Sequence, residues 1–172
     1  MNKTTADVWR GARWIWRQGG AGSDEYVDFL CRFDGVAIGD WRLNISADSD
    51  YNVYINGVMA AFGQYADYPA RKVYDSVPVT QYIRAGANRM VVRVWHYGVD
   101  SQTYVRGEAG LIFSLERDGE SVCTSSAATL SRLSHDYVSG RCHSITPQLG
   151  LTFCYDSTRD DGYLLDCDSD FT

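Results

Sequence analysis

From Trp41 the chain reads WRLNISAD, and Trp41, Leu43, Ile45 and Ala47 fall on one side of an extended backbone while Arg42, Asn44 and Ser46 fall on the other. A two-residue period of this kind predicts a strand with one buried face. In YNVYING, Tyr51, Val53 and Ile55 alternate with Asn52, Tyr54 and Asn56, and Asn56-Gly57 supplies the two positive φ values of a type I′ turn. VMAAF is therefore expected to return antiparallel to it. RMVVRVWHY, from Arg89, is rich in β-branched residues, and GLIFSLERDGESVCT, from Gly110, alternates Leu111, Phe113 and Leu115 before Asp118-Gly119 turns the chain into Val122. Between the two hairpins, VTQYIRAGANR predicts one helical turn capped by Thr80 and stopped by Gly86. No segment carries a long apolar repeat of 3.6 residues, so helix is expected to be scarce.

Strands with one apolar face must cover that face with another layer, and short strands separated by turns do so as two packed sheets. The expected fold is all-β, a two-sheet antiparallel β-sandwich of the jelly-roll or galactose-binding-like kind. After about Leu130 the pattern weakens into short apolar pieces among Asp, Ser and Gly. Irregular loops with one or two edge strands are expected there, LGLTFCY being the best candidate, and DCDSDFT reads as a loose end. The organisation expected is a single domain over residues 1–156, with 157–172 a tail or the start of a junction to another domain.

Composition supports this picture. Among 172 residues there are 16 Gly, 12 Tyr and 5 Trp against 3 Pro, a balance of turn formers and strand-favouring aromatics. The net charge of −6 and the lack of any Lys/Arg cluster argue against a nucleic-acid partner. No apolar stretch is long enough to span a bilayer, and MNKTTADVWRGARWIWRQGG has no apolar signal region, so a cytoplasmic location away from membranes is expected. Cys31, Cys123, Cys142, Cys154 and Cys167 are odd in number and lack Cys-x-x-Cys spacing, which predicts free thiols in a reducing compartment. DCDSD lacks the glycine and glutamate of a calcium loop. No metal or other cofactor is expected.

Two aromatic clusters carry the chemistry. One is the loop after the first hairpin, with Tyr65, Tyr68 and Tyr74 beside Gln64, Asp67 and Arg71; the other is Trp95, His96, Tyr97, Asp100 and Tyr104. A sugar presents a C–H face that stacks on an aromatic ring and a rim of hydroxyls that pairs with planar polar groups, so both clusters meet the demands of a saccharide platform. Tyr and Arg are equally at home where protein meets protein. Either role is open at this point. His96 lies between Trp95 and Tyr97 with no serine or cysteine nucleophile motif nearby, which reads as a packed histidine rather than a catalyst.

The segments ARWIW, EYVDFLCRF, ISADSDYNVYINGVMAAFGQY and VYDSVPVTQYIRAGANRMVVRVWHYG, followed by VWHYGVDSQTYVRGEAGLIF and GEAGLIFSLERDGE, together resemble the N-terminal region of bacterial α-L-rhamnosidases of glycoside hydrolase family 78. The resemblance runs from Ala12 to Asp156, and FCYDSTRDDGY is similar to the junction at which the family's next β-domain begins. It implies that catalysis belongs to a helical barrel, with acid and base carboxyl groups on either side of a terminal rhamnose, and this chain has no such helical region. The chain is then expected to be an accessory fragment, inactive by itself, whose partners are the remaining domains of the parent glycosidase and, if it binds sugar, a rhamnose-containing saccharide. Inverting hydrolysis needs two carboxyl groups with room for water between them. The pairs available are Asp48 with Asp50, Glu108 with Glu116, and Asp160 with Asp161, and each reads more simply as a turn or a solvated strand end.

Overall fold

The computed structural model describes residues 8–64, 67–142, 144, 146 and 148–165. Nine strands form two antiparallel sheets: β1 (Glu25–Gly35), β2 (Trp41–Asp48), β3 (Asp50–Ile55), β4 (Val58–Gly63), β5 (Asp75–Pro78), β6 (Gly86–His96), β7 (Gly110–Arg117), β8 (Glu120–Thr124) and β9 (Leu130–Leu133). One sheet runs β4-β3-β6-β1-β9 and the other β5-β2-β7-β8. The fold is an all-β sandwich, as the alternation predicts, and helix among the described residues amounts to three single 3₁₀ turns and α-helical backbone at Val8 and Trp9.

Alternation decides which side chains meet between the layers. Val27, Phe29, Val53, Val92 and Val94 of the five-stranded sheet face Leu43, Ile45, Leu111, Phe113 and Leu115 of the four-stranded sheet, all of them 0–1% exposed. Each such side chain stabilises the fold by about 1.5–3 kcal/mol relative to its exposed state. Both predicted hairpin turns form: Asn56 and Gly57 have φ of 50° and 80°, and Asp118 and Gly119 have 51° and 81°. The strands pair on either side of them as β3 with β4 and β7 with β8.

Three expectations are corrected. The turn Thr80–Tyr82 is 3₁₀ and is capped by Val79 without a side-chain bond. The Thr80 hydroxyl instead accepts a hydrogen bond from the Trp41 N–H at 2.9 Å, a tertiary partner that local sequence does not reveal. LGLTFCY is not a strand. The edge of β1 is taken by β9, and the 150s pair only locally, through Val138 N–H to Cys154 O and Asp156 N–H to Asp136 O. The cysteines are not all free: Cys31 of β1 and Cys123 of β8 form a disulfide across the sandwich, while Cys142 and Cys154 are free thiols. Those two partners are 92 residues apart, and spacing alone does not say which strands oppose one another. Cys167 and the rest of DCDSD lie outside the described residues.

The C-terminal segment crosses the outer side of the five-stranded sheet. Tyr163, 1% exposed, packs on Leu30 of β1 and Val91 of β6. The guanidinium groups of Arg89 and Arg132 lie 4.1 and 3.6 Å from its ring centre, within reach of cation–π attraction. Arg89 also donates to the Tyr163 carbonyl at 2.6 Å, and Arg132 to Asp161 at 2.6 Å.

Candidate functional site

Asp48, the last residue of β2, is fully buried and holds together the loops at one end of the sandwich. Its carboxylate accepts hydrogen bonds from the Tyr104 hydroxyl at 2.5 Å and from Lys72 Nζ at 2.8 Å, and His96 Nδ1 lies 3.0 Å away. Burial acts to raise its pKa, but the bonds from His96, Lys72 and Tyr104 outweigh burial and hold it at about 2. Facing an ionised carboxylate, His96 Nδ1 carries the proton of that contact. Lys72 also binds Asp67 at 2.9 Å; Asp67 accepts from Gln64 at 2.8 Å and from the Val73 N–H at 2.9 Å, and Gln64 accepts from the Ala47 N–H at 2.6 Å. The tyrosine-rich loop is thereby anchored to the end of β2. Gly107 closes the arrangement, because a Cβ there would stand 2.3 Å from an Asp48 oxygen.

This network divides the first predicted cluster. Asp67 turns inward as an anchor, whereas Tyr68, 67% exposed, and Arg71 turn outward, joined by a backbone bond from the Arg71 N–H to the Tyr68 carbonyl. Tyr74 packs edge-on against Trp9 at 5.5 Å. Tyr65 lies outside the described residues. The second cluster is divided as well. His96 and Tyr104 are bound to Asp48, and Asp100 accepts the Arg106 N–H in a turn. Trp95 and Tyr97 lie on the far side of β6, where a different surface begins.

That surface is the outer face of the five-stranded sheet. Strand register places Tyr26, Trp95 and Asp50 in one cross-strand row and Asp28, Arg93, Asn52 and Phe62 in the next. Tyr26 is stacked between Trp95 at 5.1 Å and Tyr137 at 4.9 Å, and Tyr97 meets Trp95 edge-on at 4.5 Å. Arg93 binds Asp28 through Nε at 2.7 Å and Nη2 at 3.1 Å, and Asp136 through Nη1 at 2.8 Å, which fixes the guanidinium in place. Burial raises the Asp50 pKa against the hydrogen bonds from the Tyr97 hydroxyl and the Gln64 backbone, which lower it. A groove of about 510 Å³ runs over these residues, walled by Phe62 of β4 and by Phe153.

Of the eleven residues of the two predicted clusters, Gln64 and Trp95 line this groove. Tyr26, Asn52, Phe62, Arg93, Tyr137 and Phe153 were not expected in a site. The signal available was the second parity of β1, β3 and β6, whose outer positions carry Tyr, Trp, Arg, Asp and Asn where a solvated face would be free of large aromatics.

The carboxyl pairs do not converge. Asp48 is bound to its network and Asp50 to Tyr97. Glu116 is engaged by Asn44 at 3.3 Å and Arg10 at 3.4 Å, whereas Glu108 lines a cleft of about 620 Å³ beside His96, Arg17 and Trp16. Asp160 accepts from Tyr155, and Asp161 pairs with Arg132.

No protein-family model and no curated protein matches the sequence. Solved structures do. Over 88% of its length the chain is similar to part of a family 78 rhamnosidase from Bacillus sp. GL1, at 31% identity and a TM-score of 0.80. An α-L-rhamnosidase from Dictyoglumus thermophilum matches over 95% of the chain at 19% identity and a TM-score of 0.68. The apo lectin of Pleurotus ostreatus shares the fold over 73% of the chain and 35% of its own, at 20% identity and a TM-score of 0.50. The chain spans 16% and 20% of the two rhamnosidases, a single sandwich of much larger molecules.

Proposed function

We propose that this chain is a non-catalytic sandwich module of an α-L-rhamnosidase-like glycoside hydrolase, acting in breakdown of rhamnose-containing glycans by supporting the domain that cleaves the bond. The observation that carries this reading is the 31% identity across 88% of the chain to a segment amounting to 16% of a family 78 rhamnosidase. Its side chains fit such a role. Of the six carboxylates weighed, five are held by structural partners, and Asp48, held at about 2, is too acidic to donate a proton at neutral pH. The anchored tyrosine loop turns Tyr68 and Arg71 outward on a rigid base, residue types that serve contact between proteins.

The test is direct. The purified chain is expected to release no p-nitrophenol from its α-L-rhamnoside, and activity that survives rigorous purification would overturn the proposal. The reading frame in which these residues occur is expected to encode a long helical region with acidic residues on its barrel loops.

A further inference from the structure

We infer that the Cys31–Cys123 disulfide is a thiol-exchange site: a small dithiol entering at the edge of the sandwich reduces it and frees β8 from β1, while the core between the sheets stays closed. This goes beyond the supporting role and does not depend on it. β8 is the last strand of its sheet, with β7 as its one neighbour, and the pairing of those two shifts register between Leu115 and Glu116. Glu120, Ser121 and Val122 are exposed, so little burial holds the strand in place. The disulfide supplies what burial does not. It ties β8 to a strand of the other sheet across a separation of 92 residues, and long closures are the ones that a cross-link stabilises most.

The bond is within reach of a reagent. Cys31 and Cys123 both line a cleft of about 260 Å³, together with Arg32, Thr124 and Ser126. Cys123 is half-buried and Cys31 is 7% exposed, so the sulfur presented for attack is that of Cys123. The exposed Arg32 beside them favours the approach of an anionic thiolate. In the first step the reagent's thiolate bonds to Cys123 Sγ, the bond between the two protein sulfurs breaks, and Cys31 leaves as a thiolate that takes a proton from water. In the second, the reagent's other thiolate closes on its own bound sulfur and releases Cys123. The dithiol ends as a cyclic disulfide, and the protein has gained the two electrons.

The loosening is limited at Ser125, which is 0% exposed. Its N–H donates to the Phe113 carbonyl at 3.0 Å and its hydroxyl to the Arg13 carbonyl at 2.7 Å, while its hydroxyl accepts from the Phe113 N–H at 3.1 Å and its carbonyl from the Arg13 N–H at 2.9 Å. These four bonds hold the chain beyond β8 to its neighbours whether or not the disulfide is intact. The thiol freed at Cys123 still packs on the core as a small apolar group.

The experiment compares the oxidised chain with and without dithiothreitol, by alkylation mass spectrometry, melting temperature and amide hydrogen exchange. Without reductant, Cys31 and Cys123 are expected to resist alkylation even when the chain is denatured, and with it both are alkylated. Reduction should lower the melting temperature by about 10 °C and speed exchange of the β8 amides at least about tenfold, with β2 and β6 unchanged. The double substitution Cys31→Ala and Cys123→Ala should melt where the reduced chain does and ignore the reductant, which separates this bond from Cys142, Cys154 and Cys167. Read peptide by peptide in the native state, Cys123 in a Cys31→Ser chain should be alkylated at least about tenfold faster than Cys31 in a Cys123→Ser chain. Free thiols at both positions in the oxidised chain, a melting temperature that moves by less than about 2 °C, exchange that rises equally in β2, β6 and β8, or faster alkylation at Cys31 would each overturn the inference.

Discussion

The two faces of the five-stranded sheet are built from the same strands and differ in almost everything else. The inner face of β1, β3 and β6 is Val27, Phe29, Val53, Val92 and Val94, closed against the second sheet. The outer face of the same strands carries Tyr26, Asp28, Asn52, Arg93 and Trp95, tied by ion pairs and ring stacks. The inner face is held by non-directional burial, which tolerates changes of shape but not loss of volume. The outer face is held by directional bonds, which fail when a single partner is removed but leave polar atoms in fixed positions for something else to use.

That contrast sets an order of effects in denaturant unfolding. Phe29→Ala, which opens a cavity on the inner face, should cost the most, about 4 kcal/mol. Arg93→Met should cost about 3 kcal/mol, because Asp136 loses its buried counter-ion and Asp28 keeps only Arg132, at 3.5 Å. Adding Asp28→Leu and Asp136→Leu should recover most of that loss; if it does not, the outer face depends on more than charge compensation. Lowering pH should act through Asp48. Its native pKa of about 2 lies below the ordinary carboxylate value, so its contribution of ~2 kcal/mol is complete above about pH 4 and is lost as pH falls toward 2. Asp48→Asn should flatten that part of a plot of melting temperature against pH. Phe62→Ala, at the exposed wall of the groove, should change stability by less than about 0.5 kcal/mol.

The inner face was legible in the sequence because it obeys one rule, alternation, and each strand announces its buried side without reference to the others. Both hairpin turns were legible for a similar reason, since positive φ at Asn56-Gly57 and Asp118-Gly119 is a local demand met by local residues. The outer face was not. Its groove needs Tyr26 beside Trp95 and Asn52 beside Phe62, which is fixed by register across β1, β6, β3 and β4, together with Tyr137 and Phe153 from a segment whose sequence promised loops and an edge strand at LGLTFCY. The tyrosine loop misled in the opposite way. Its composition suited a sugar platform, but Asp67 and Lys72 face inward to Asp48, a partner almost twenty residues or more away in the chain. His96 and Tyr104 were chosen for the same compositional reason and prove to serve that same buried carboxylate.

The seating of Tyr163 makes the final described turn a working part of the sandwich. Anyone choosing a join for a reporter protein or a transplanted neighbour must keep it, since a cut made upstream of Asp161 would strip the cover from Leu30 and Val91 and leave Arg132 without its carboxylate there. A splice beyond Leu165 would spare both.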